Sequence, residues 1–146
     1  MSLVAEIAAR LGDKVPTLRD RIGTAVELAP LMKSGEVPQA AASAFVVPLG
    51  FRASEALDAT GLHTQSLYHR VAVILVIEYA GSAGGGETIP EVSRLEAEVL
   101  HGLAGYEPPS AWGPLVVERG ALLGLKGGVA FYQVDFSIQQ LLRVDP

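Results

Sequence analysis

The chain has 146 residues, with 11 Lys and Arg against 16 Asp and Glu for a net charge of −5, 49% hydrophobic residues and no cysteine. That length suits one domain with a substantial core and is short for two, and the missing cysteine removes disulfides, thiolate nucleophiles and cysteine-ligated zinc. The acidic balance, with no cluster of Lys or Arg along the chain, disfavours binding of nucleic acid through phosphate neutralisation.

Mean hydropathy is positive, yet the longest uninterrupted apolar run is Val71–Ile77, far below the roughly 20 residues that span a bilayer. No membrane segment is therefore expected. The opening "MSLVAEIAARLGD" lacks the basic start, apolar stretch and small-residue cleavage site of a secretory signal, so the expected product is soluble and cytoplasmic. A chain this apolar with only 18% charged residues has surface to bury against copies of itself or a partner.

From the start, Leu3, Val4, Ile7, Ala8 and Leu11 form one stripe with Glu6 and Arg10 off it. This predicts an amphipathic helix capped by Ser2 and ended by Gly12. Residues 13–23 carry a proline, alternate weakly and read as an extended connection. Thr24 with Glu27 has capping-box spacing, which predicts a short helix broken at Pro30. The segment "SAFVVPLGF" is a strand that Pro48 confines to an edge or a bulge. Residues 52–66 are polar without a clean period and read as a long loop, a kind of segment that is often functional or ordered by a partner.

Leu67–Tyr79 is apolar on both faces in its middle, as a central strand covered on both sides would be. After a glycine run, Val92, Leu95, Val99 and Leu103 recur at helical spacing, with Glu91, Arg94, Glu98 and His101 opposite. Residues 105–113 stop that helix with prolines and glycines. Two strands then flank Lys126-Gly127-Gly128 as a hairpin, the second alternating Tyr132, Val134, Phe136 and Ile138 against Gln133, Asp135, Ser137 and Gln139. The order predicts an α+β fold: a mainly antiparallel sheet of about four strands with two main helices packed on one face.

The run Gly81-Ser82-Ala83-Gly84-Gly85-Gly86-Glu87-Thr88 matches the phosphate-cradling pattern G-x-x-x-x-G-K-[ST] except that Glu87 replaces the lysine. That exchange removes the cation that neutralises phosphate and adds like charge, at a cost on the order of a few kcal/mol. Pro90 also deletes an N–H from the helix start. Thr88 as N-cap with Glu91 three residues on is the better reading, a capped helix after a strand-to-helix connection. No nucleotide cofactor is expected.

His63, His69 and His101 share no metal-site spacing, and no serine lies in a G-x-S-x-G context. No catalytic, cofactor or metal residue is therefore assigned. Trp112, Tyr106 and Phe51 read equally as packing residues or as contact anchors.

The succession "IAARLGDKVPTLRDRIGTAVELAPL", "AFVVPLG", "QSLYHRVAVILVIEY", "VLHGLAGYEPP" and "PLVVERGALLGLKGGVAFYQVDFSI" resembles the tail terminator proteins of long-tailed bacteriophages and of phage-derived particles such as gene transfer agents. The resemblance covers nearly the whole chain. Its hallmarks are a helix-ending Leu-x-Gly-aromatic-x-Pro, here Leu103, Gly105, Tyr106 and Pro108, and a turn-like Glu118-Arg119-Gly120.

The resemblance implies a non-enzymatic virion protein that forms a ring, expected to hold six copies, at the head-proximal end of the tail. Its partners would be the tail tube protein and the head-tail connector or stopper, with genome DNA passing through the ring, after assembly in the bacterial cytoplasm. An acidic ring would repel that DNA rather than retain it. The alternatives are another head-tail joining protein, of stopper or head-completion type, and a small ligand-binding α+β domain or enzyme using a pocket beside residues 81–88.

Phe51, Arg52, His63 and Gln65 in the polar segment, Gly84, Gly85 and Glu87 in the glycine run, and Trp112 are the expected assembly contacts. Deleting residues 84–86 is expected to leave the melting transition in place while impairing joining of tails to heads. A shortened chain that shows no cooperative melt would instead make the run structural.

Overall fold

The computed structural model describes residues 2–34, 42–59, 61–78, 88–126 and 128–145. Helix α1 (Leu3–Lys14) is followed by a 3₁₀ turn (Pro16–Leu18), strand β1 (Ile22–Gly23) and helix α2 (Ala25–Ser34). Strands β2 (Ala42–Ala53), β3 (Leu57–Ala59) and β4 (Leu62–Glu78) precede helix α3 (Thr88–Leu103), and β5 (Val116–Lys126) and β6 (Val129–Val144) close the chain. The sheet runs β1-β2-β4-β6-β5, with β3 pairing β4 beyond the end of β2. Only β1 on β2 is parallel. The fold is α+β with a mostly antiparallel sheet, as expected, and with β1 and β3 as strands the sequence did not announce.

The apolar stripes dictate the layers. Ile7 and Leu11 of α1 and Leu95, Val99 and Leu103 of α3 bury one face of the sheet with Val71, Val73, Leu75 and Ile77 of β4 and Val134, Phe136 and Ile138 of β6. On the opposite face Leu28 and Leu31 of α2 pack on Phe45, Ile74, Val76 and Phe131. Two main helices thus share one face, and the short one covers the other. This explains why the middle of β4 carries apolar residues at every position.

Three local expectations need correction. Helix α1 keeps its Ser2 cap, whose Oγ accepts from the Ala5 N–H at 3.2 Å, but passes Gly12 to reach Lys14. Helical glycine costs roughly 1 kcal/mol, and full burial of Leu11 and Val15 on either side outweighs that. Helix α2 likewise runs through Pro30. Pro30 lies on the exposed side, where the Val26 carbonyl it leaves without a helical donor can turn to water. Residues 52–66 are no loop: they contain the end of β2, all of β3 and the start of β4.

The helix-ending hallmark has a structural account. Gly105 adopts φ +80, the left-handed conformation that closes a helix and suits glycine. The next turn is stitched to the chain before β5, with Gly105 N–H donating to Leu115 O at 2.9 Å and Leu115 N–H to Tyr106 O at 2.8 Å. Helix α1 grips the same turn. Arg10 donates to Gly102 O at 3.1 Å with its guanidinium 4.6 Å over the Tyr106 ring, and buried Glu6 accepts from the Ser110 N–H and Oγ–H. The sequence placed Glu6 off the apolar stripe, and its partner lies 104 residues away in the sequence.

Glu118-Arg119-Gly120 is not a turn either. It lies inside β5, where the register shifts between Val117 and Arg119. Gly120 is needed for close approach, since a Cβ there would lie 2.8 Å from Tyr132 Oη. The Tyr132 hydroxyl in turn hydrogen-bonds Glu96 of α3. That bond, then burial and then the Glu96 charge, pushes its pKa up to about 12.

A folded-state value above the 10.0 of a free tyrosine means that this bond stabilises the fold fully below pH ~10 and is lost as pH rises toward 12. The melting temperature of the wild type is therefore expected to fall more steeply between pH 10 and 12 than that of Tyr132→Phe, and parallel curves would contradict this role.

Candidate assembly surface

Strand β4 has 17 residues, about 56 Å when extended, whereas α3 has 16, about 24 Å of helix. The helices cover only part of the sheet. Val71–Ile77 are all buried, while Leu62–Arg70 are half-buried or exposed. Past the helical layer the sheet continues as an arm: β4 stays in register with β6 out to His63–Val144 and, after a register shift between Pro48 and Gly50, pairs with β2 to Leu67–Ala53. β3 then carries the pairing on to Ala59–Leu62.

Between β2 and β3 the ladder is held by Ser54. Its N–H donates to Ser66 O at 2.8 Å, its Oγ accepts from the Ser66 N–H at 3.0 Å, and its carbonyl accepts from Gln65 Nε2 at 2.8 Å.

The arm gathers Phe51, Arg52, His63 and Gln65. Phe51 is 61% exposed and tilts against His69, with ring centroids 5.6 Å apart. His69 Nε2 donates to Gln140 Oε1 at 2.8 Å, and Gln140 Nε2 donates to Ser110 O at 2.9 Å, which braces the arm on the α3–β5 connection. His63 Nε2 lies 3.1 Å from Gln65 Oε1. Arg52 lies on the other face, 4.8 Å over the Tyr68 ring.

Trp112 is 58% exposed and donates its backbone N–H to Gln139 O at 2.8 Å, beside β6 and level with Tyr68 in register. Tyr106, by contrast, is a packing residue under Arg10. Gly84, Gly85 and Glu87 lie outside the described residues, as do residues 81–87 of the phosphate-loop-like run, whose last residue, Thr88, begins α3.

A second surface was missed. Strand β5 is the sheet edge, and Val116, Val117, Leu122, Leu123 and Leu125 are exposed along it. The signal was in "GALLGL", where leucines occupy both parities of a strand that one helical layer can cover on one side only. A register shift between Leu122 and Gly124 makes Leu123 an extra residue and turns the edge. Long apolar edges offer unpaired N–H and C=O groups to another chain unless they are blunted.

Among the described residues there is no group of His, Asp and Glu able to hold a metal ion. A shallow groove of about 400 Å³ runs between the end of α1 and α3, lined by Lys14, Arg94, Glu98 and His101. Glu98 Oε2 is buried there without a hydrogen-bond partner among the described residues. Arg94 binds Glu91 and Glu98, and the Glu91 hydrogen bond is the main cause that raises its pKa.

A family model described as Phage tail terminator protein matches residues 2–146. The chain belongs to the phage tail terminator family. No curated protein matches it. Membership makes the protein a structural component of a phage tail, and the exposed arm and edge are the parts of this terminator family fold that its own core does not use.

Leu122→Lys with Leu125→Lys should change the melting temperature of the dilute protein little, since exposed substitutions fall within about 0.5 kcal/mol, while reducing self-association in sedimentation velocity. Unchanged association would remove β5 from the interface.

Proposed function

We propose that the protein closes into a ring, of six copies by resemblance to its family, at the head-proximal end of a phage or gene-transfer-agent tail. There it ends polymerisation of the tail tube protein and offers the surface that joins the connector or stopper of the head. The observation that carries this reading is the family match over residues 2–146.

The distribution of exposed apolar residues supports it. Two groups lie apart on the sheet: Val117, Leu122 and Leu125 on the β5 edge, and Phe51 of β2, Leu57 of β3 and Leu62 of β4 on the arm. A cyclic ring joins one face of a subunit to a different face of its neighbour, and two unlike apolar surfaces meet that requirement. The single domain would then be a wedge whose arm and edge face successive neighbours, leaving its two ends for tube and head.

Electron microscopy of particles that lack the protein tests the reading. Abnormally long tails are the expected outcome. Tails of normal length that fail to join heads would make the protein a stopper, and particles of normal form would overturn a role in tail completion.

A further inference from the structure

The sheet face away from α1 and α3 carries a row of arginines that the linear sequence conceals. Side chains alternate between faces along each strand. The registers Arg52–Tyr68, Arg70–Ser137 and Arg119–Asp135–Ala72 place Arg52 of β2, Arg70 of β4 and Arg119 of β5 on one face, one step apart along β4. They form a diagonal about 20 Å across the sheet, from strand spacings of ~4.8 Å. Arg143, paired with Thr64, extends the same face toward the arm tip.

The row is held in place. Arg52 stacks over Tyr68 at 4.8 Å. Arg70 Nη2 and Arg119 Nε reach the same Asp135 Oδ2 at 3.5 and 3.1 Å, while Gln133 Nε2 donates to Oδ1 at 2.6 Å. Asp135 is 1% exposed, yet the two arginine side chains remain 55% and 67% exposed. One buried carboxylate therefore orients two guanidinium groups, takes one donor from each of their five and leaves the face positive. Asp135 stands in register between Tyr68 and Ala72, and Glu118, the extra residue at the register shift beside Arg119, is the neighbouring exposed acid, so three arginines face two carboxylates on a chain whose net charge is −5.

We infer that this arginine row contacts the phosphate backbone of double-stranded DNA without reading its sequence. The inference rests on the ring reading for its occupant, because the genome passes a ring at the head-proximal tail end. Charge and shape favour DNA over an acidic protein. A protein interface centres on a desolvated apolar anchor, whereas Ser137 and Gln139 lie between these arginines and Gln133 follows them, and the exposed apolar residues of the face, Val116 and Leu57, stand apart at its two ends. Separated guanidinium groups on a polar face match repeated phosphates, to which arginine is well suited. Guidance of passing DNA needs only such weak contacts, and the otherwise acidic chain limits retention.

The test is fluorescence anisotropy of the full-length protein with a labelled 30-base-pair duplex of arbitrary sequence, from 50 to 500 mM salt. Three phosphate contacts predict a slope of log K against log salt near −2.7, so a tenfold rise in salt weakens binding about 500-fold. Arg52→Gln with Arg70→Gln and Arg119→Gln should abolish it, and Arg94→Gln on the helical face should not. Arg52→Gln alone, which does not touch Asp135, should reduce the slope by about 1 even if the triple variant misfolds.

Absence of binding at 50 mM salt, or binding indifferent to Arg52→Gln, overturns the inference. So does capture of poly-glutamate without capture of duplex, which would mark an acidic protein as the occupant. Overlong tails in particles lacking the protein, together with no duplex binding, would sink this inference and leave the ring reading standing.

Discussion

The β4–β6 pairing is the constraint on which the rest of the structure depends. The two strands stay in register without a shift from His63–Val144 to Glu78–Val129, and every other strand but β1 pairs with one of them. Half of this ribbon is sandwiched between α1 with α3 and α2, and that half is the core. The other half outruns its cover, since a helix rises only ~1.5 Å per residue against ~3.3 Å for a strand. A ribbon of fixed length and a shorter helical layer leave an arm, and the arm is a consequence of the same hydrogen bonds that hold the core.

This geometry explains what was legible in the sequence. Helices α1 and α3, the middle of β4 and the β5–β6 hairpin were readable because each buries at least one face, and burial imposes a period. Residues 52–66 looked like a loop for the opposite reason. Neither face of the arm is fully buried, so nothing forces alternation, and only backbone pairing and Ser54 contacts reveal it as strand. Pro30 and Gly12 misled because local propensity is weak beside the burial of Leu28 and Leu11. Glu6 misled because Ser110, its partner, comes from a distant segment.

The assembly contacts divide in the same way. Polar character singled out Phe51, Arg52, His63 and Gln65 for a loop, and they stand together on an arm instead. The β5 edge was hidden because an apolar strand reads the same whether it lies at the centre or the rim of a sheet. Charge was hidden too. Arg52, Arg70 and Arg119 are far apart in the sequence and converge only through strand order, so a chain that is acidic overall carries a basic face. The Leu103-Gly105-Tyr106-Pro108 element, by contrast, is a folding device: it turns the chain out of α3 and docks it under Arg10, which fixes where β5 begins.

The proposed ring joins copies of this chain through a surplus of sheet, an arm at one side and an apolar edge strand at the other. Cryo-electron microscopy of the head-proximal tail end, with the density of this chain assigned, tests it most directly. The expected result is a closed ring of identical copies in which β5 of each subunit is covered by the arm of the next. A ring in which β5 stays exposed to solvent, or the chain present as a single copy, would contradict it.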